Sequence, residues 1–424
     1  MHYIFGLFVY VCALGALTLV GCSGTGGKSG GGGNGGDTGQ VFPCTEQGIR
    51  NAIAEGGGPH GFDCDGPTTV VTEAEIVIDN DVILDGEGNL TVDGPDEYST
   101  FRISNGYPMI AELRGFSLTG ACYGVSVGPG GNFALVNSIL SGNSAARCAG
   151  IYNDGTATLT NCTVSGNGIG VLNWDGDMTV TESNVFGNTD RGIQVGGGTI
   201  LVIDSTVSGN KGGGIALEPA YNWVASATVM NSTVSGNIVT SGRGGGIFVG
   251  WPATLTLTNS TVSNNSAPQD SGGGIFNADT VKLIGATVSG NTAADGSGIH
   301  NYANISATVT MTIQDTLVED ACGGPGTIVS EAHNIESPGD TCGFSQSTDH
   351  ANISAEDLKL EPLQDNGGPT ETHALGPGSI AIDVIPETEC LDQAGKRLTT
   401  DQRGEPRPET NGTMCDVGAF EPQS

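Results

Sequence analysis

Basic residues are scarce: 14 Lys and Arg stand against 46 Asp and Glu, leaving a formal net charge of −32. A chain so acidic repels polyphosphate, which argues against nucleic acid and against anionic membrane surfaces as partners. Polyanionic sugars would be repelled as well unless a divalent cation intervened. Aromatics are also few at 5%, and charged residues reach only 14%. Glycine is what the sequence has instead, with 71 of its 424 residues and no collagen-like period, so the glycines must serve turns.

The first residues form an apolar run from Tyr3 to Val20 ending in Leu19-Val20-Gly21-Cys22, small residues before a cysteine as at the end of an export signal. This resembles the bacterial lipobox. The resemblance implies cleavage before Cys22, diacylglycerol on its sulfur and an outer-membrane lipoprotein; the alternatives are an ordinary signal peptide or an N-terminal membrane helix. One departure is that Met1-His2 carries no Lys or Arg. Residues 22–40 are mostly glycine, a flexible tether with a reach of roughly 20 to 25 Å.

From there the chain repeats itself. Leu140-Ser-Gly-Asn143, Val164-Ser-Gly-Asn167, Val185-Phe-Gly-Asn188, Val207-Ser-Gly-Asn210, Val234-Ser-Gly-Asn237, Val262-Ser-Asn-Asn265 and Val288-Ser-Gly-Asn291 place asparagines 21 to 28 residues apart. Between them recur a Gly-Ile step, as at Gly150-Ile151 and Gly246-Ile247, and an alternating segment such as Thr254-Leu-Thr-Leu-Thr258. Three short strands per repeat cannot bury a face alone, but rungs stacked at about 4.8 Å bury their Ile, Leu and Val columns continuously. The spacing predicts an all-β chain, a right-handed parallel β-helix of nine or ten rungs from about residue 67 to 320. The recurring Asn is expected at a tight left-handed bend, its amide bonding the next Asn in a ladder.

The ends of such a coil need covers. Within residues 41–66, Thr45 to Glu55 reads as a short helix capped by Thr45 with Ile49, Ala52 and Ile53 on one face. Strands are expected at Thr68–Thr72, Ile76–Ile78 and Val82–Leu84, with Asp85-Gly86 as a turn. Residues 321–424 form a small C-terminal domain.

The register also bears on cysteine. Cys122 and Cys148 each precede an aligned Val or Ile by three residues, so they should stack within disulfide reach. Cys162 falls in the column Ser138, Cys162, Ser183, Ser205, Ser232, Ser260, and reads as a free core thiol. The other six pair most simply by proximity: Cys44 with Cys64, Cys322 with Cys342, Cys390 with Cys415. Disulfides of this number imply an exported, oxidising setting.

The Gly244-Gly-Gly-Ile247 and Gly272-Gly-Gly-Ile275 steps are similar to the short repeats of polymorphic outer-membrane proteins. Further on, Asn366-Gly-Gly-Pro-Thr370, Thr372-His-Ala-Leu375, Asp401-Gln-Arg-Gly404, Pro406-Arg-Pro408 and Gly418-Ala-Phe-Glu421 resemble the choice-of-anchor Q domain, over about Asn334 to Glu421. That resemblance implies display at the cell surface behind a β-helix, with the lipobox as anchor, and supplies no catalytic residues.

Chemistry is thinly signalled. Carbohydrate-active β-helices need clustered carboxylates or a Ca²⁺-binding acidic group with a base. Candidates are Asp175 and Asp177, aligned with turn positions Asp154, Pro252 and Asp279, and His300, which replaces Phe248 and Phe276 of earlier rungs. Asp190-Arg191 reads as a solvated pair. No spacing suggests zinc, and no cofactor is implied apart from Ca²⁺ on acidic turns. Trp174, Trp223, Trp251, Tyr221 and Tyr302 lie where rings could form a sugar platform, or shield strand ends. The favoured reading is a lipid-anchored cell-surface protein with a structural, adhesive or glycan-binding role, its partners the membrane, a surface polysaccharide or another surface protein. The alternative is a polysaccharide lyase or glycoside hydrolase.

Overall fold

A computed structural model describes residues 39–103, 109–144, 148–220, 223–303, 309–410 and 412–423. The signal run, Cys22, most of the tether and Tyr221 lie outside them. The strands of the coil pair in parallel from rung to rung, and successive rungs climb in one direction, giving a right-handed parallel β-helix. Each rung contributes three strands. In one rung these are Ile169–Asn173, Asp177–Thr181 and Asn184–Phe186.

The first of the three belongs to an eleven-stranded sheet running from Ile76–Ile78 to Cys322–Gly323. Ten steps of about 4.8 Å make it roughly 48 Å long. The coil continues past Asp320 through Ile328–Ala332 and Ile335–Glu336, one turn beyond the boundary expected from the repeats. It also begins earlier, because Val41–Pro43 and Gly57–Asp63 pair in parallel with the rung above. Asp85-Gly86 does not end a strand: Val82–Asp93 runs through it, and the left-handed residues are Glu87 and Gly88.

The inside is an unbroken apolar column, with Val171, Ile193, Ile215, Ile247, Ile275 and Ile299 all almost inaccessible to solvent. Each such side chain contributes roughly 1.5 to 3 kcal/mol by leaving water. At the N-terminal end helix Glu46–Glu55 covers this column with Ile49, Ala52 and Ile53, and Thr45 caps it by accepting from Gly48 N at 3.1 Å.

The asparagines form a ladder, but not at the bend position. The left-handed residues are the preceding Gly142, Gly166, Gly187, Gly209, Gly236 and Gly290, with Asn264 in the Ser-Asn-Asn variant. The ladder Asn points inward instead: Asn167 Oδ1 accepts from Asn143 N at 3.1 Å and Asn143 Nδ2 at 3.0 Å. The pattern repeats through Asn188, Asn210, Asn237, Asn265 and Asn291, so no buried amide in the column is left unpaired. The facing Gly column makes room for it. A Cβ on Gly170 would stand 2.5 Å from Gly192 O and 2.8 Å from Asn188 Nδ2.

A second bend carries Asn137, Asn161, Glu182, Asp204, Asn231 and Asn259, all with positive φ. Just after it the small-residue column accepts backbone donors from rung to rung, as Ser183 Oγ does from Cys162 N at 3.0 Å. Cys162 is free and buried, and burial pushes its thiol up to about 11. Among the described residues four disulfides form, Cys44–Cys64, Cys122–Cys148, Cys322–Cys342 and Cys390–Cys415.

Beyond the coil the chain turns back along its flank. A hairpin of Leu360–Gln364 and Thr372–Leu375 and a second pairing of Ile385–Pro386 with Met414–Cys415 frame a small core around Leu358, Ile385 and Val417. The Asp401-Gln-Arg-Gly404 and Pro406-Arg-Pro408 segments are among those that contact the rungs. Gln402 accepts from Thr261 Oγ1 at 2.7 Å and donates to Thr233 Oγ1 at 2.8 Å, and Arg407 donates to Asn259 Oδ1 at 2.9 Å. Arg407 and Glu421 form a buried pair at 3.1 Å. His373 sits between Ser263 Oγ at 2.9 Å and Glu361 O at 2.7 Å, a packing role that leaves it neither ring nitrogen for catalysis.

Candidate functional site

The outer face of the eleven-stranded sheet carries a concave cavity. It has a volume of about 560 Å³ and is lined by Tyr123, Tyr152, Ile169, Leu172, Trp174, Asp190, Arg191, Gln194 and Glu218. The strand register explains how these residues meet. Tyr152, Leu172 and Gln194 are successive members of one outward column. Tyr123 belongs to the column to one side, with Ala149 and Ile169. Trp174 leaves the same strands at the turn on the other side, following Asn173.

The aromatic wall is held from below by glycine. Trp174 lies across Gly196, where a Cβ would meet its Cε3 at 2.9 Å. Trp223 meets Trp174 edge-on, ring centres 5.8 Å apart, and Tyr123 and Tyr152 lie 5.3 Å apart at a 46° tilt. Tyr152 Oη donates to Asp154 Oδ2 at 2.7 Å, while Asp154 Oδ1 is buried without a partner. Burial, reinforced by that carboxylate, holds the Tyr152 phenol well above its ordinary range.

The polar side is built by Arg191. Its guanidinium pairs with Glu218 Oε1 at 2.6 Å and donates to Gly212 O, and Gln194 Nε2 donates to the other Glu218 oxygen at 3.1 Å. The expected Asp190-Arg191 pair is therefore corrected: Arg191 is only 17% exposed and turns to Glu218, one rung on, because in the bend before Ile193–Val195 its guanidinium reaches both that carboxylate and Gly212 O. Asp190 stays exposed on the cavity rim.

The other candidates separate. Asp175 is an exposed bend residue and Asp177 the exposed first residue of the strand Asp177–Thr181, bonded to Thr199 Oγ1 of the next rung. Asp177 registers with Thr156, Thr199 and, further along, Thr280, so it stands two positions past Asp154 and one past Asp279, and the expected alignment of these carboxylates does not hold. His300 lies five rungs further along, about 24 Å away. The three cannot act as one catalytic group. His300 is stacked on Phe276 at 5.1 Å and 6°, and Phe276 on Phe248 at 5.5 Å and 8°. Its Nδ1 is 3.1 Å from Asp295 Oδ2 but not aligned for a hydrogen bond. Burial lowers its pKa, Asp295 opposing and Arg243 reinforcing the shift.

Of the platform residues, Trp174 and Trp223 meet, whereas Trp251, 59% exposed, and Tyr302, 37% exposed beside Phe276, stand outside the cavity lining. Tyr123, Tyr152, Gln194 and Glu218 carry no sequence label of their own. Only their outward positions in register with Trp174's strand distinguish them. No group of His, Cys, Asp and Glu suited to a metal ion occurs among the described residues, and no helix there is long and apolar enough to cross a membrane.

A family model described as the right handed beta helix region matches residues 104–251. No curated protein matches the chain in sequence. Among solved structures, the chain resembles the pectate lyase Pel9A at 13% identity with a TM-score of 0.47, over 91% of this chain and 97% of that one. It resembles the catalytic unit of an α-1,3-glucanase from Streptomyces thermodiastaticus at 18% identity and a TM-score of 0.39, over 70% and 67%. An A-module of the Azotobacter vinelandii mannuronan C-5 epimerase AlgE6 aligns at 15% identity and 0.34, over 69% and 94%. Together the family match and the rung register identify a right-handed β-helix protein.

Proposed function

We propose that this is a lipid-anchored cell-surface β-helix that binds glycan in the Trp174 cavity. The observation that carries the reading is the convergence of three aromatic rings, Tyr123, Tyr152 and Trp174, with a fixed polar set, Arg191, Gln194 and Glu218, in one concave site. Rings present apolar area to the C–H faces of a sugar, and the polar groups supply directional bonds to its hydroxyls. The anchoring part rests on the lipobox ending at Cys22, and the display part on the resemblance of Asn334 to Glu421 to the choice-of-anchor Q domain.

Binding is tested by co-sedimentation of the purified protein with a panel of insoluble polysaccharides. Retention on at least one, lost in Trp174→Ala and Tyr152→Ala, supports the reading; equal retention by the variants sinks it. Anchoring is tested by palmitate labelling in the source cell, with incorporation expected in the native chain and not in Cys22→Ala.

A second reading, carbohydrate cleavage, is favoured by one observation: two carboxylates, Asp190 and Glu218, line the same cavity. Release of new reducing ends or unsaturated sugars from the retained polysaccharide, abolished in Asp190→Asn, would favour it over binding alone.

A further inference from the structure

We infer that the Trp174 cavity selects glycans without acid groups and favours amino sugars, and that Glu218 sets this preference by cancelling Arg191. The inference rests on the proposed glycan-binding role and deepens it. Among the described residues lining the cavity, Arg191 is the one cation, while Asp190 and Glu218 are both anionic. A third carboxylate, Asp154, holds the Tyr152 hydroxyl.

Arg191 would be the natural partner for a uronate or sulfate, because its planar fork matches an oxyanion in two-point contact. The structure spends that fork inside the protein. Nη2 goes to Glu218 Oε1 at 2.6 Å and Nη1 to Gly212 O, and Gln194 braces the other Glu218 oxygen at 3.1 Å. An acidic sugar would have to displace Glu218 or lie against it and Asp190, and like charges brought together in a half-buried site are repulsive. A protonated amino group placed over the same rim meets Asp190, which has no ion pair among the described residues.

The test is a glycan array carrying neutral, amino and acidic glycans, read with the full mature protein and with Glu218→Gln, Asp190→Asn and Trp174→Ala. The native protein is expected to bind neutral or amino glycans at least about tenfold above acidic ones of equal length. Glu218→Gln frees Arg191 and should raise the acidic-to-neutral signal ratio about tenfold. Asp190→Asn, which leaves the Arg191 pair intact, should lower the amino-to-neutral ratio and serves if Glu218→Gln does not fold. Acidic glycans ranking first on the native protein, with all signal lost in Trp174→Ala, would overturn the inference and leave the glycan-binding role standing. Signal untouched by Trp174→Ala, or no signal at all, would overturn both.

Discussion

Asn291 donates its backbone N–H at 3.0 Å and its side-chain amide at 2.8 Å to a single oxygen of Asp320, so the asparagine ladder ends on a carboxylate. An acid can accept from the rung below, but it has no amide to pass the pattern on. Burial raises the Asp320 pKa, while the two Asn291 bonds pull it down. A folded-state pKa raised above the unfolded one means that stability from this group is fully present at acid pH and lost as pH rises through the raised value.

Asp320→Asn keeps an acceptor and removes the charge. Its melting temperature should equal or exceed the native value at neutral pH, with the difference closing toward pH 4. Asp320→Ala instead orphans Asn291 N–H and should cost about 1 to 3 kcal/mol. Thermal melts across pH measure both, and a neutral-pH loss in Asp320→Asn as large as in Asp320→Ala would show that the charge itself is required.

Gly170→Ala should be one of the most damaging small changes in the coil. Its new Cβ would press on Gly192 O, held by Val171 N, on Asn188 Nδ2, held in the asparagine ladder, and on Val185 Cγ1. The expected loss is about 3 kcal/mol, the upper part of the overpacking range. Gly187→Ala faces open space at a positive φ, and should cost about 1 kcal/mol of backbone strain. Chemical denaturation of the two variants side by side checks the order.

The Cys162 thiol should resist iodoacetamide in the folded protein and be labelled after denaturation, as mass spectrometry of its peptide would show. Its ionisation is pushed up to about 11 and it has almost no exposed surface. Replacing Cys122 and Cys148 together by Ser should cost about 2 to 4 kcal/mol, since the bridge closes a 26-residue loop. Labelling of Cys162 at native pH, or a disulfide peptide containing it, would contradict the assignment.

His300→Phe should make the protein less sensitive to acid. Burial lowers the His300 pKa, so the unfolded chain takes up a proton before the folded one does. Stability from the neutral ring is present above the ordinary imidazole value, about 6.5, and is lost as pH falls from there through the lowered folded value. Phe removes that proton and extends the Phe248 and Phe276 stack. The loss in melting temperature between pH 8 and pH 5 should be smaller than in the native protein; an unchanged loss would place the acid sensitivity elsewhere.

The coil, its three strands per rung and the stacked cysteines were readable because a parallel rung repeats its chemistry at fixed offsets, so Ser-Gly-Asn and Gly-Ile mark the same places each time. What the repeat hid was direction. The Asn of each Ser-Gly-Asn looks like a bend residue, yet glycine takes the left-handed position and frees Asn to turn inward. The cavity was half legible for the same reason. Trp174 and Trp223 stand out as rare residues, but Tyr152, Gln194 and Glu218 matter through which way three strands face. Asp175, Asp177 and His300 stand out by residue type, and the rung count along the rod sets His300 too far from the two aspartates to cooperate with them.

The C-terminal segment grips Thr233, Thr261 and Thr287 on three successive rungs through Gln402 and Ala419 N. A solenoid left to itself can fray from its last turn inward, each rung held only by its neighbour. Here the end of the chain acts as a splint across rungs that lie well before the end of the coil. Fraying that reaches the Thr287 rung must break the splint, and losing the splint strips contacts from three rungs at once. The C-terminal half should therefore melt as one cooperative block, with the rungs before Thr233 as a separate unit, a division that hydrogen exchange would resolve along the rod.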